Sequence, residues 1–397
     1  MLVSTVELAW RARRGAELGL AGAAGVGLDW GEVIARKNHI VSSWSKGKDK
    51  ALERQGMAVL RGRATFRGPH ELQVGDQIVT AEKIVIATGS SPARAPIEGI
   101  EHAVTSEELL NRTILPERMV VIGGGAIGME LGFAFGRAGT QVTVLQSGPH
   151  VLPLIDEELR TALVEIAHYA GLDLRTNVKV RRITSARAVE AEIAGATHQF
   201  SGDVVLAATG RPANTEGLGL GSLGIHTERG AVPVNEYLQS PTAPHIYAAG
   251  DVTGRHQHTP VAWYEGKMAA ENALKGNHRG VDFSLLPTSI FTIPAVAQVG
   301  LTEAEARKQG FTFGVSRSPF EDNTTAAIRG ATEGLVKVVY DEPTGRVLGV
   351  HILGAGAEDL IHIAAVAMRG GLKRQDLAEM HYVFPTLGGA VFDAMWD

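Results

Sequence analysis

The sequence contains no cysteine. Within its 397 residues this excludes disulfides, thiolate metal ligands and a cysteine nucleophile, and it makes the cytoplasm the expected compartment. Aromatic residues are scarce, at 6%, and neither sign of charge dominates: 38 Lys and Arg stand against 43 Asp and Glu, a net charge of −5. So balanced a chain carries no basic footprint, and neither nucleic acid nor an anionic membrane is expected as a partner. The apolar run at 119–139 is interrupted by Glu130 near its middle, at a cost of about 2.5–3.5 kcal/mol at a bilayer centre, so it is not read as a membrane span. The first residues show no signal-peptide pattern. His256 and His258 form an HxH pair, but no carboxylates stand at ligand spacing around it, so no metal site is expected.

What is plentiful is glycine, with 48 residues. A chain of this length is expected to form two or three domains. The most informative stretch is 119–146, MVVIGGGAIGMELGFAFGRAGTQVTVLQ. It reads as a buried strand at 119–122, a glycine turn, a helix over 126–137 stopped by Gly139, and a second strand at 141–145. Gly123, Gly125 and Gly128 have G-x-G-x-x-G spacing. The first suits a tight turn, the second lets the backbone approach a pyrophosphate, and the third lets the helix pack on the strand. The helix N-terminus then offers free N–H groups to phosphate. The end of the second strand carries Gln146 where Asp or Glu reads the 2′-hydroxyl of NAD. A neutral amide accepts a hydroxyl and does not repel a phosphate, so NADH and NADPH both remain open.

Elsewhere the pattern predicts an amphipathic helix over 3–20 and a helix from a D-x-x-E cap (Asp29, Glu32) to about Arg54. Short strands are expected at 58–61, 64–67 and 71–74, and a buried strand at 83–87 runs into Thr88-Gly89-Ser90-Ser91-Pro92. After the glycine-turn unit come a helix over 156–170 and strands near 173–184, 188–194 and 203–207, the last entering Ala208-Thr209-Gly210-Arg211-Pro212. HIYAAGD at 245–251 precedes a helix over about 260–274. From Phe283 the style changes: segments 334–340 and 346–353 flank DEPTG as a β-hairpin, and helices follow over 358–369 and from about Lys373. This end has no phosphate-type turn and reads as packing or assembly.

Four signals occur in order: IVIATGSSP, VVIGGGAIGMELG, VVLAATGRPAN and HIYAAGDVTG. In order and spacing the chain resembles the FAD-dependent pyridine nucleotide–disulfide oxidoreductases, which include dihydrolipoamide dehydrogenase, glutathione reductase and mercuric reductase. The segments SRSPFEDNTTAAIRGATEGLVKVVYDEPTGRVLGV and DLAEMHYVFPTL look most like mercuric reductase and its flavoprotein relatives. The resemblance implies an α/β fold with two Rossmann-like domains for FAD and NAD(P), the FAD one incomplete, plus a C-terminal α+β dimerisation domain. It implies an FAD domain over 1–118 and 239–282, an NAD(P) domain over 119–238, and a homodimer built by 283–397. It also implies roles. Gly123, Gly125 and Gly128 would hold the nicotinamide nucleotide's pyrophosphate, with Glu130 near the nicotinamide amide. Thr88 and Gly89 would line the FAD site, with Gly210 in the matching turn. Asp251 would bond the ribityl or pyrophosphate region of FAD. The helix beginning near Pro260–Ala262 would turn its N-terminal N–H groups toward the flavin's pyrimidine edge, stabilising negative charge on the reduced ring.

The resemblance also has gaps. The family opens with its own strand–GxGxxG–helix unit, then C-x-x-x-x-C and a lysine that partners the glutamate corresponding to Glu130. Met1-Leu2-Val3-Ser4 matches the residues after that lysine, so the chain is expected to start past the redox disulfide. Near the other end, Phe384 and Gly389 stand where disulfide-reducing members carry a catalytic His and Glu. His381 lies three residues before Phe384, which is one turn only if the segment is helical. Hydride transfer from NAD(P)H to FAD, then to a disulfide or metal-ion acceptor, is the implied activity. A misplaced gene start, an impaired copy and a non-catalytic nucleotide-binding dimer remain as alternatives.

Overall fold

The computed structural model describes residues 1–396. The chain forms two compact units, one of Met1–Asn38, Arg94–Thr209 and Ser284–Asp397, the other of His39–Ala93 and Gly210–Phe283. Residues 210–238, expected from sequence in the segment 119–238, therefore cluster in the second unit.

The first unit holds a four-stranded parallel sheet in the order Val204–Ala207, Arg118–Ile122, Gln141–Leu145, Leu172–Arg175. Strands Val204–Ala207 and Arg118–Ile122 are near-continuous buried apolar runs, as strands covered on both faces require, whereas the edge strand Leu172–Arg175 alternates apolar and charged residues. Helix Ala126–Ala138 packs on one face, burying Met129, Phe133 and Phe135. The Gly136 position lies so close to strand Leu172–Arg175 that a Cβ there would meet Leu172 Cδ1 at 2.6 Å. Helix Glu157–Tyr169 follows, with the Asp156 side chain accepting the Glu158 N–H at its start. The same unit contains a five-stranded antiparallel sheet, ordered Thr288–Ile290, Ala295–Gly300, Val347–Gly354, Leu335–Asp341, Phe313–Pro319. Helix Ala357–Arg369 buries Ile361, Ala364 and Ala367 in the apolar cluster built on this sheet.

The second unit contains a three-stranded antiparallel sheet (Ala64–Gly68, Glu71–Val74, Gln77–Thr80) and a parallel pair, Ile84–Ile86 with Ile246–Ala248. Phe66, Ile84, Ile86, Ile246 and Val252 form its core, and helix Thr259–Lys275 completes it.

Several expected elements are corrected. Residues 58–61 form no strand: Val59 and Leu60 are exposed and no neighbouring strand pairs with them. The helix expected over 3–20 is α-helical only over Leu2–Arg13, continues as a 3-10 turn over Arg14–Leu18, and stops at Gly19, whose φ of +84° ends helical geometry. The single expected strand over 173–184 is two, Leu172–Arg175 and Lys179–Ile183, because Asn177 turns the chain at φ +55°. Strands Gln77–Thr80 and Ala196–Ser201 are additions to the expected elements. They are second arms of hairpins that turn at Gly75 and at Ala194-Gly195, all with positive φ.

Candidate functional site

The glycine turn is fixed by steric demands at two of its three glycines. Gly123 has φ +110°, and a Cβ there would lie 2.3 Å from the Ala208 carbonyl oxygen. Its N–H donates to the Leu145 carbonyl at 2.9 Å. A Cβ at Gly128 would lie 1.9 Å from the Gly123 carbonyl oxygen, so helix and turn are in direct backbone contact. Gly125 differs: a Cβ there would meet nothing within 4 Å. The helix starts at Gly125 with no side chain capping its first amides. An uncapped N-terminus facing open space suits a pyrophosphate, which takes the free N–H groups and the positive end of the helix dipole. The residues present therefore fit a dinucleotide on this turn.

Gln146 does something the sequence did not show. Its Oε1 accepts the Gly124 N–H at 2.9 Å, so one lone pair of the amide oxygen is committed to the turn, and the NH2 group and the second lone pair remain to meet a ligand. Leu152 donates its N–H to the Gly124 carbonyl at 2.9 Å, closing the loop that leaves the strand back onto the turn.

Glu130 lies on helix Ala126–Ala138, half-buried, and its Oε1 accepts the Phe291 N–H at 3.0 Å. Burial raises its carboxyl above the usual range and the Phe291 amide only partly opposes this. Glu130 lines a cleft of about 410 Å³ with Val3, Trp10, Leu131, Phe291 and Pro294.

At the C-terminal end Phe384 is exposed in a non-helical stretch, so His381 is not one helical turn from it. Gly389 begins helix Gly389–Asp393, and a Cβ there would lie 3.2 Å from the Tyr382 ring. Tyr382 donates its hydroxyl to Asp393 and stacks on Phe392, with ring centroids 4.9 Å apart. Neither Phe384 nor Gly389 offers a proton-transfer group.

The second unit builds its own constellation from three of the quoted signals. The loops 88–93 and 210–214 run antiparallel. Thr88 Oγ1 donates to the Asn214 carbonyl (2.7 Å), Asn214 Nδ2 donates to the Thr88 carbonyl (2.9 Å), and the Asn214 N–H donates to the Gly89 carbonyl (2.9 Å). The Ala93 N–H reaches the Gly210 carbonyl at 2.9 Å. Gly89 and Gly210 have φ of +71° and +121°, values that favour glycine. Asp251 Oδ2 accepts the Ser90 hydroxyl at 2.6 Å, and Ser90 Oγ accepts Arg211 Nε at 3.0 Å, so the orientation of Asp251 is set from two loops. Sequence reasoning missed Ser90, Arg211 and Asn214 as members of this group, although all three stand inside the motifs; their pairing spans more than a hundred residues.

Helix Thr259–Lys275 points its start toward Gly250. The Ala262 N–H is donated to the His258 carbonyl (3.0 Å), so Ala262 offers no free amide. Pro260 has none, which leaves Thr259 and Val261. What Ala262 contributes is smallness: a Cβ at Gly250 would come within 3.1 Å of its own Cβ. The same helix carries Glu265, fully buried, whose Oε2 accepts the Gly250 N–H at 2.7 Å while Oε1 has no partner. Burial pushes its carboxyl up; the Gly250 amide and Arg255 oppose this. Among the described residues no group of three or more His, Asp or Glu is placed to hold a metal ion. No described helix is long and apolar enough to cross a membrane.

A glycine turn on a parallel sheet, paired loops ending in an aspartate, and an antiparallel sheet after them define a two-nucleotide α/β oxidoreductase architecture with an added C-terminal domain. Residues 9–266 match the family Pyridine nucleotide-disulphide oxidoreductase, and residues 286–395 match the dimerisation domain of that family. The chain is 36% identical over 366 residues to a mercuric reductase of Staphylococcus aureus, covering 90% of this chain and 67% of that one. It is 35% identical over 391 residues to a dihydrolipoyl dehydrogenase of Thermus scotoductus, covering 94% and 84%. The solved structure of the HOCl-induced flavoprotein disulfide reductase RclA from Escherichia coli superposes with a TM-score of 0.86 at 30% identity, covering 93% of this chain and 86% of that one. The chain belongs to the pyridine nucleotide–disulphide oxidoreductases, a family of flavoprotein enzymes that use FAD and NAD(P)H.

Proposed function

We propose that the glycine turn takes the nicotinamide nucleotide and that the second unit's loops take FAD, in an enzyme that moves hydride from NAD(P)H to the flavin. The observation that carries this is the turn itself: backbone packed to the limit at Gly123 and Gly128, and open space at Gly125 in front of uncapped helical amides. Bound FAD supplies reversible acceptance of a hydride; the chain supplies the setting for it. Gly125 and the first amides of its helix bind the nucleotide's pyrophosphate. Glu130, its charged form disfavoured by burial and its carboxylate oriented by Phe291, faces the nicotinamide carboxamide. Asp251, oriented by Ser90 and Arg211, bonds the ribityl or pyrophosphate region of the flavin nucleotide. The N–H groups of Thr259 and Val261 lie at the dipole's positive end, where negative charge on a reduced ring is stabilised.

The acceptor beyond the flavin is a disulfide or a metal ion, as in the reductases the chain resembles, and the working form is a homodimer through residues 283–397. These 397 residues contain no thiol pair and place Phe384 and Gly389 where an acid–base pair would serve a dithiol. That favours a second reading for this chain by itself: a dimer that binds nucleotide without turning over a disulfide. Titration of the purified chain with NADH and NADPH, followed by nicotinamide fluorescence, tests the first site, and the flavin absorbance of the purified protein tests the second. Saturable nucleotide binding with a yellow chromophore supports the oxidoreductase; nucleotide binding without flavin supports the second reading; no nucleotide binding refutes both.

A further inference from the structure

The loop that leaves the glycine-turn unit, residues 146–156, is anchored at both ends. At its start Gln146 Oε1 holds the Gly124 N–H, and Leu152 donates its N–H to the Gly124 carbonyl, each at 2.9 Å. Val151 packs so closely that a Cβ on Gly124 would lie 2.7 Å from its Cγ1. At its end Asp156 is 3% exposed and meets Lys337 Nζ at 2.9 and 3.1 Å. Lys337, 2% exposed, lies on strand Leu335–Asp341 of the antiparallel sheet and also meets Glu303 Oε2 at 3.0 Å and Glu158 Oε2 at 3.1 Å. Arg317, on the neighbouring strand, clasps the Glu158 carboxylate through two nitrogens at 2.6 and 2.9 Å. Gln298 Nε2 from the same sheet holds the Leu154 carbonyl at 3.1 Å. Between the anchors, buried Leu152 has φ +45°. A leucine stays in that left-handed region only where its surroundings hold it there.

One ammonium buried against three carboxylates is poor economy for stability alone, since an apolar cluster of similar volume commonly does as well. What such a cluster does well is fix geometry. We propose that Lys337 is a positioning residue for nicotinamide nucleotide binding: by holding Asp156 it keeps segment 146–156, and through it Gln146 and the Gly124 amide, in the conformation that shapes the glycine turn. The inference rests on the reading of that turn as the nucleotide site. Burial opposes charge on both Asp156 and Lys337, but their mutual bonds outweigh it, holding Asp156 below and Lys337 above their usual ranges. His351, buried on the adjacent strand and donating Nε2–H to the Leu301 carbonyl at 3.0 Å, is held below its usual range by burial. The clamp thus stays ionised through the neutral range.

The test compares the full chain with Lys337→Met, Lys337→Arg, Asp156→Asn and a control, Val350→Ala, which opens a cavity in the same sheet without touching the clamp. NADH and NADPH affinities are measured beside hydrogen exchange in 146–156 and the melting temperature. Asp156→Asn keeps a side-chain oxygen for the Glu158 N–H, so it covers the case in which Lys337→Met does not fold. The expected result is an affinity weakened about tenfold in Lys337→Met or Asp156→Asn, faster exchange across 146–156, and partial recovery in Lys337→Arg. Val350→Ala is expected to lower the melting temperature and leave affinity alone. Unchanged affinity and exchange in the clamp variants overturn the inference. So does an equal loss of affinity in Val350→Ala, which would make the effect one of general stability. If the unaltered chain binds no nucleotide, the reading of the turn falls, and the inference falls with it.

Discussion

Substituting Gly125 and Gly128 separately by alanine divides the glycine turn into its two jobs. At Gly128 the new Cβ would lie 1.9 Å from the Gly123 carbonyl oxygen, whereas real Cβ atoms essentially never come within 3.0 Å of another atom. The obstacle is backbone, so the helix must retreat by about 1 Å. Overpacking of this kind costs about 1–3 kcal/mol. Alanine's better helix propensity returns about 1 kcal/mol, so a net loss of up to about 2 kcal/mol is expected in Gly128→Ala, a few degrees in melting temperature. A retreat of about 1 Å also carries the helix amides out of hydrogen-bond range of a phosphate. One such charged bond is worth about 1.5–3 kcal/mol, a loss of roughly 10–100-fold in affinity. At Gly125 the backbone has φ −77°, ordinary for any residue, and a Cβ would meet nothing. Gly125→Ala is therefore expected to hold stability within about 0.5 kcal/mol and still to weaken nucleotide binding about tenfold or more, because its methyl fills the space the pyrophosphate needs. Thermal melts and NAD(P)H titrations of the two variants decide the matter. Equal destabilisation of both, or full affinity in Gly125→Ala, would refute the division of labour.

Gln146→Glu keeps an oxygen for the Gly124 N–H and adds a negative charge where a 2′-phosphate would lie, so the ratio of NADPH to NADH affinity is expected to fall; an unchanged ratio in paired titrations speaks against Gln146 facing the ribose. Glu265 has a raised pKa in the fold, so the folded state disfavours its charged form. The resulting cost is full at high pH and is relieved as pH falls through the folded value toward the unfolded one. Relative to Glu265→Gln, the natural chain is expected to gain stability as the pH is lowered through the raised folded value toward the ordinary carboxylate range, read from denaturant melts. Ser90→Ala removes the hydroxyl that Asp251 Oδ2 accepts and is expected to weaken FAD binding by about tenfold, measured by flavin fluorescence, with little change in NAD(P)H affinity. The 397 residues expressed alone are expected to show no turnover of glutathione disulfide, lipoamide or mercuric ion, and measurable turnover of any of them would contradict the reasoning from missing thiols.

The parts legible in the sequence are those governed by neighbours a few residues apart. Glycine spacing at 123, 125 and 128 announced strand, turn and helix because Gly123 and Gly128 answer local steric demands and Gly125 leaves open space before the helix. The hairpin around DEPTG and the helix stop at Gly139 follow from turn and cap chemistry in the same way. The strand expected at 58–61 does not form, because the run has no strand beside it to pair with. Family resemblance carried the argument from a turn to an enzyme class, because four motifs in order constrain far more than one.

The sequence by itself determined the class of chain, the place of the nucleotide turn and the lack of any thiol. Only the tertiary structure decided what the polar side chains do. Gln146 commits one oxygen lone pair to Gly124, Glu130 holds Phe291, Ser90 turns Asp251, Ala262 yields its amide to His258, and Lys337 ties Asp156 to a sheet 181 residues away. The reason is physical. Backbone geometry is set by short-range sterics that repeat with the period of each element, whereas a buried polar group must find a partner wherever packing brings one within about 3 Å, and sequence distance plays no part in that.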